Sequence, residues 1–240
     1  VLLFDLTLRI ASQYKTWRRS GRCSIILGTY LGEEYRNKKQ TIGASTCLLE
    51  SKWMKVQQQS VKMPGQSQVI HDWLIIDYHD RVNVLVEDEA QPGKERRFLV
   101  FQQSKYTLDS RVSLAVVGGI VEPGEEPQVA ARREVEEEMA MDCNEFHFLG
   151  RYRTDVNRGM GWVNSFLATQ CGRRKGIASQ PNGAAAEEVG AVDTEKQDLR
   201  SITMQELRDA ATEGKFLEVQ WSNTVSLALL HPELITSQHK

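Results

Sequence analysis

The stretch from Val112 to Met141 admits few folds. It opens with Val112-Ser113-Leu114-Ala115-Val116-Val117, an apolar run of strand length, and passes through Gly118-Gly119 to the turn pair Pro123-Gly124. Pro127 suits a first helical turn, where its missing N–H costs nothing, and Glu125 and Glu126 complement the positive end of a helix dipole. Ala130, Ala131, Val135 and Met139 then recur at helical spacing and give one apolar stripe. A strand, a tight turn and an amphipathic helix are thus expected in direct succession.

The other face of that helix is acidic. Glu134, Glu137 and Glu138 fall at i, i+3 and i+4, which stacks their carboxylates on one side. Like charges at this spacing cost a bare helix a few tenths of a kcal/mol per pair, so the arrangement makes most sense around a hard divalent cation. Oxygen-only ligands favour Mg²⁺ or Mn²⁺ over zinc. Arg133 leaves the acidic face to reach backwards or across.

Gly119, Glu125, Arg133, Glu134, Val135, Glu137, Glu138 and Met141 together resemble the Nudix box: Gly, five residues, Glu, seven residues, Arg-Glu, an aliphatic, one residue, Glu-Glu, one residue, Gly, an aliphatic. One position departs, because Ala140 stands where the family has Gly. That Gly normally takes the left-handed conformation closing the helix, and Ala pays roughly 1–2 kcal/mol there, so the helix is expected to run on or end differently. The resemblance implies diphosphate hydrolysis with Mg²⁺ or Mn²⁺. It implies Glu134, Glu137 and Glu138 as metal ligands, with the Gly119 carbonyl as a further contact. Arg133 then orients the carboxylates, and Glu125 does the same or holds a second ion through water. The base is Glu137 or a Glu on a mobile loop, for which Glu187, Glu188 and Glu195 are candidates.

Around the box, Trp53, Val56 and Val61 lead to Pro64-Gly65, and Val69, Trp73, Ile75 and Ile76 follow, which predicts two strands about a turn. A second hairpin is expected from Val82–Val86 through Gln91-Pro92-Gly93-Lys94 to Phe98–Phe101, with alternation at Val82, Val84 and Val86 marking a half-buried strand. Phe146–Leu149 and Trp162–Ala168 are further strand candidates around a loop at residues 154–161. Residues 172–194 are Gly-, Ala- and Glu-rich without period and predict a flexible excursion. Thr203 with Glu206 has capping-box spacing, and Phe216–Leu230 is apolar at helical intervals. Strands and helices mix without βαβ regularity, so the fold class is α+β, and the resemblance implies a Nudix-type mixed β-sheet between helices with an N-terminal β-hairpin region. The expected division is a basic extension over 1–45 and a Nudix domain over 46–235.

The strand pair with Trp53, Pro64-Gly65 and Trp73, and the segment Gln103-Ser104-Lys105, are similar to the ADP-ribose pyrophosphatase branch, in which such a sheet region helps build a homodimer. Lys105 keeps the phosphate-binding charge of an Arg common there without its bidentate fork. In place of that branch's Ser-Pro-Gly segment stands Arg153-Thr154-Asp155-Val156-Asn157-Arg158-Gly159. Arg158 beside Gly159 is a candidate for gripping phosphate or base, with Asp155 and Asn157 as neighbours whose other reading is Asx-turn chemistry. Trp73, Trp162 and Trp221 are stacking candidates set against ordinary burial. His147, between two Phe, reads as a core side chain.

Composition bounds the rest. The 240 residues are 40% hydrophobic and can bury a sizeable core, and no apolar run approaches the ~20 residues of a membrane span. Cys23, Cys47, Cys143 and Cys171 are scattered, which indicates neither a zinc site nor a disulfide framework and fits an intracellular, reducing compartment, cytoplasm or mitochondrial matrix. Net charge is −2, yet residues 1–40 hold eight Lys and Arg against three Asp and Glu. A basic, acid-poor start also fits an organelle-targeting remnant or an arm for RNA or an RNA-binding protein. The expected activity is metal-dependent hydrolysis of a nucleoside diphosphate linked to another group. Two alternatives stand beside it: pyrophosphate removal from triphosphorylated RNA 5′ ends, encouraged by Arg173-Arg174-Lys175 as well, and a nucleotide-binding module of the same fold without turnover.

Overall fold

The computed structural model describes residues 41–51, 53–174 and 197–235. Most of the basic extension, and Glu187, Glu188 and Glu195, lie outside the described residues. Thr41–Glu50 is already a strand (β1), so the N-terminal sheet reaches into the segment expected as extension. β2 (Met54–Lys62) and β3 (Val69–Tyr78) turn about Pro64-Gly65, and β1 pairs antiparallel with β2.

β4 (Arg81–Glu87) lies at the centre, parallel to β9 (Gly159–Arg173), and it has two antiparallel partners in succession. Its first half pairs with β7 (Val117–Ile120), and its last residues pair with β5 (Arg97–Ser104). The sheet order is β1-β2-β3-β9-β4-β5-β10, with β10 at Gln197–Thr203 and with β6 (Val112–Ala115), β7 and β8 (Met141–Asp155) branching from it. The run Val112–Val117, expected as one strand, is therefore two. β6 pairs with β5 and β7 with β4, because the chain changes partner at Val116 while its side chains keep alternating. Among the described residues, four α-helices join the sheet: α1 (Pro127–Met139), α2 (Met204–Thr212), α3 (Val219–Leu229) and the single turn α4 (Pro232–Ile235).

Two cores lie on opposite faces of the sheet. Val82, Val84, Val86, Leu99, Phe101 and Val117 meet Ala130, Ala131, Val135 and Met139 of α1. Leu85, Phe98, Val100, Val116 and Leu167 meet Leu207, Ala210, Val225, Ala228 and Leu234 of the C-terminal helices. β4 is thus buried on both faces and not half-buried, since a helix covers each side. At about 1.5–3 kcal/mol for each fully buried large aliphatic or aromatic side chain, these layers lock β4 and β7 in register and set where Gly119 sits. No helix among the described residues is long and apolar enough to cross a membrane.

β8 and β9 form a long hairpin, each strand of 15 residues, where two short strands were expected. Its register makes Cys143 and Cys171 partners, and the two are disulfide-bonded. Cys47 is disulfide-bonded as well. The expectation of no disulfide framework is corrected: spacing along the chain cannot reveal a cross-strand pair 28 residues apart, and the cysteines give no argument for a reducing compartment.

Candidate active site

β7 delivers Gly118-Gly119 to the box turn. Glu125 N–H donates to the Glu122 carbonyl at 3.0 Å, and Gly124 takes φ +78, the positive value a type II turn needs at that position. Glu122 N–H also donates to Glu125 Oε2 at 2.9 Å, so the Glu125 carboxylate closes its own turn. Pro127 is the first residue of α1. The helix ends at Ala140, which itself adopts the left-handed conformation with φ 52. The helix thus stops where a Gly would stop it, and the residue, not the path of the chain, absorbs the strain.

Arg133 is the hub. Its Nε and Nη2 donate to Glu125 Oε1 and Oε2, both at 3.0 Å, Nη1 donates to Glu134 Oε1 at 2.7 Å and Glu137 Oε2 at 3.2 Å, and Nη2 also reaches the Ile120 carbonyl at 3.0 Å. Glu134 is buried and lies flat against Gly119, where a Cβ would overlap its carboxylate; only Gly allows that approach. Burial pushes the Glu134 carboxyl above the usual range, against the pull of Arg133. Burial also opposes the Glu125 carboxylate, but hydrogen bonds from Arg133 and Glu122 outweigh it and hold its pKa below the usual range. The guanidinium is held protonated, first by its hydrogen bonds to Glu125.

The site brings together Glu125, Arg133, Glu134, Glu137 and Gly119. Glu138 is half-buried on the same helix face. Among the described residues, no group of three or more His, Cys, Asp or Glu is arranged to hold a metal ion; Glu125, Glu134 and Glu137 close on Arg133. The donor set nonetheless suits a hard divalent cation: it is carboxylate oxygen on one helix face with a backbone strand beside it.

The outlying candidates divide. Asp155 Oδ1 accepts from the backbone N–H of Asn157 at 2.7 Å and of Arg158 at 2.9 Å, which is Asx-turn chemistry at the hairpin tip. The Arg158 guanidinium lies over Trp73, 5.0 Å from the ring centroid. Lys105 stands at the start of a 3-10 turn at Tyr106–Leu108, and its charge acts on Glu218. Burial raises the Glu218 pKa, opposed by Arg81, 3.7 Å away, and by Lys105. Trp221 is partly buried between both cores. His147 is half-buried, 3.0 Å from Thr169 Oγ1 and tilted against the His231 ring at 4.9 Å between centroids. Arg174 pairs with Glu136 at 3.3 Å.

Asp80 went unnoticed in the sequence. Its carbonyl accepts from Val121 N–H at 2.9 Å, while its carboxylate accepts from the backbone N–H of Trp162 at 3.0 Å and from Arg151 at 2.9 Å, so it ties the box loop to the β8–β9 hairpin. Arg151 and Arg153 were missed too, although their period-two spacing on a strand puts both on one face.

A sequence model of the NUDIX domain matches residues 77–220, which spans β4, the box and α2 and ends at the start of α3. The chain belongs to the Nudix family. It is a Nudix hydrolase, and its α+β fold is of Nudix type. No curated protein sequence matches it. Among solved structures it resembles an ADP compounds hydrolase, with a TM-score of 0.60 at 16% identity over 83% of this chain and 96% of that one, a likeness of fold.

Proposed function

We propose that this Nudix protein is a metal-dependent pyrophosphohydrolase that cleaves the diphosphate of a nucleoside diphosphate linked to another group. The observation that carries the reading is Arg133 binding Glu125, Glu134 and Glu137 at once beside Gly119. Glu134, Glu137 and Glu138, with the Gly119 carbonyl, would hold Mg²⁺ or Mn²⁺. Such an ion, when bound, neutralises phosphate oxygens and makes a bound water more acidic.

The protein's own residues do the rest. Arg133 fixes the helix carboxylates relative to the turn, Glu125 anchors the turn, and Glu137, the more open of Arg133's helix partners at 30% exposure, takes the proton of the attacking water. The resemblance of fold to an ADP compounds hydrolase supports a nucleoside diphosphate as the recognised half. Lys105, Arg158 and Asn157 are proposed substrate contacts, with Asp155 holding their loop. A second reading, removal of pyrophosphate from triphosphorylated RNA inside the cell, is favoured by the basic first 40 residues, which would serve as an RNA or partner arm. A homodimer through β1–β3 is part of the proposal, since Ile42, Leu48, Leu49 and Trp53 expose an apolar surface there.

The test is hydrolysis of nucleotide sugars, dinucleotides, nucleoside triphosphates and 5′-triphosphorylated RNA with Mg²⁺ or Mn²⁺, beside Glu137→Gln. A fall in kcat of about 10²–10⁴ at unchanged Tm is expected. Unchanged turnover in Glu137→Gln removes this residue as base, and tight nucleotide binding with no turnover in the wild type favours a binding module.

A further inference from the structure

The outer part of the β8–β9 hairpin carries charge that the box chemistry does not use. Residues 151–162 hold Arg151, Arg153 and Arg158 against Asp155 alone. Arg153 is the cross-strand partner of Trp162, and its guanidinium lies 3.8 Å from the centre of the indole ring, with that of Arg151 at 4.6 Å. An arginine stacked on an aromatic face is weakly hydrated and held planar, which suits its edge to in-plane bonding with phosphate oxygens. The same place leaves a donor unused: Trp162 Nε1 is buried without a hydrogen-bond partner. Buried polar groups normally find partners, so an indole N–H left over beside two guanidiniums asks for an acceptor-rich ligand.

The cluster is tied to the reaction site. Asp80 accepts from the backbone N–H of Trp162 and from Arg151 with its carboxylate and from Val121 N–H with its carbonyl, one residue after the Ile120 carbonyl held by Arg133. We infer that Arg153, Arg151 and Trp162 form a subsite for a further phosphate of the substrate, outside the diphosphate handled by the box. This inference rests on the hydrolase reading and narrows it: the group linked to the nucleoside diphosphate is phosphate-bearing and not a neutral sugar. The phosphate can belong to a dinucleoside polyphosphate or to a triphosphorylated RNA end.

The experiment compares kcat/KM of the full chain for a dinucleoside tetraphosphate and for a 5′-triphosphorylated RNA, each against a nucleoside diphosphate joined to an uncharged sugar. In Arg153→Gln the ratio falls at least tenfold for whichever substrate supplies the phosphate, mainly through KM, and Arg153→Lys recovers part of it. A ratio unchanged for both overturns the inference. Trp162→Phe keeps an aromatic face and removes the indole N–H, and reads the same ratio if Arg153→Gln does not fold. If the wild type hydrolyses none of the three, the hydrolase reading fails, and calorimetric binding of inorganic tripolyphosphate decides the subsite. Tenfold weaker binding by Arg153→Gln supports it, and equal binding by the two proteins overturns it.

Discussion

Arg133 grips Glu125 through two parallel hydrogen bonds of 3.0 Å, reaching from the helix back eight positions to the turn. The fork makes turn and helix one rigid piece, and the remaining donors of Arg133 hold Glu134 and Glu137. Arg133→Ala is therefore expected to lose about 2–3 kcal/mol of stability, because it leaves the buried Glu134 carboxylate without its counter-charge. Arg133→Lys should restore part of the stability and little of the activity, since an ammonium cannot make the fork. Urea unfolding and kcat measured on both variants check this.

Ala140 pays for a conformation that Gly adopts freely. Ala140→Gly should raise stability by about 1 kcal/mol, with kcat within twofold of wild type. A loss of stability in thermal melts would show that the left-handed cap carries no strain.

Glu218 gives a pH dependence of known sign. Burial raises its folded pKa above the unfolded value of 4.5, so its ionisation weakens the fold as pH rises from that value through the folded one. Glu218→Gln removes this effect. Its Tm should exceed that of wild type by about 2–4 °C near pH 8, with the gap closing toward pH 4.5. A gap that widens on acidification would reverse the assignment.

Cys143 and Cys171 face each other across β8 and β9. Non-reducing peptide mapping should recover the linked pair. Replacing both with Ser should cost about 2 kcal/mol, the low end for a disulfide, because the hairpin is already closed by its ladder.

The elements whose signal is local were readable in advance. Pro123-Gly124, Pro127 and the spacing of Ala130, Ala131 and Val135 specify the turn and α1 from neighbouring residues alone, and Thr203 with Glu206 makes the capping box at the start of α2 that its spacing predicts. The three-way bonding of Arg133 was only half visible, since its reach to Glu125 depends on how tightly the turn folds. The division of Val112–Val117 and the double burial of β4 were invisible, because both depend on which strands and helices arrive from far along the chain.

By itself the sequence determined the turn, the helix and which carboxylates share one helix face, through turn residues and helical periodicity acting over a few positions. Tertiary structure alone decided that Asp80 meets Trp162 and Arg151, at separations of 82 and 71 residues, and that Cys143 meets Cys171. The reason is physical: side-chain period fixes which face a residue takes, whereas strand register fixes whom it meets, and register is set by burying two cores on one curled sheet.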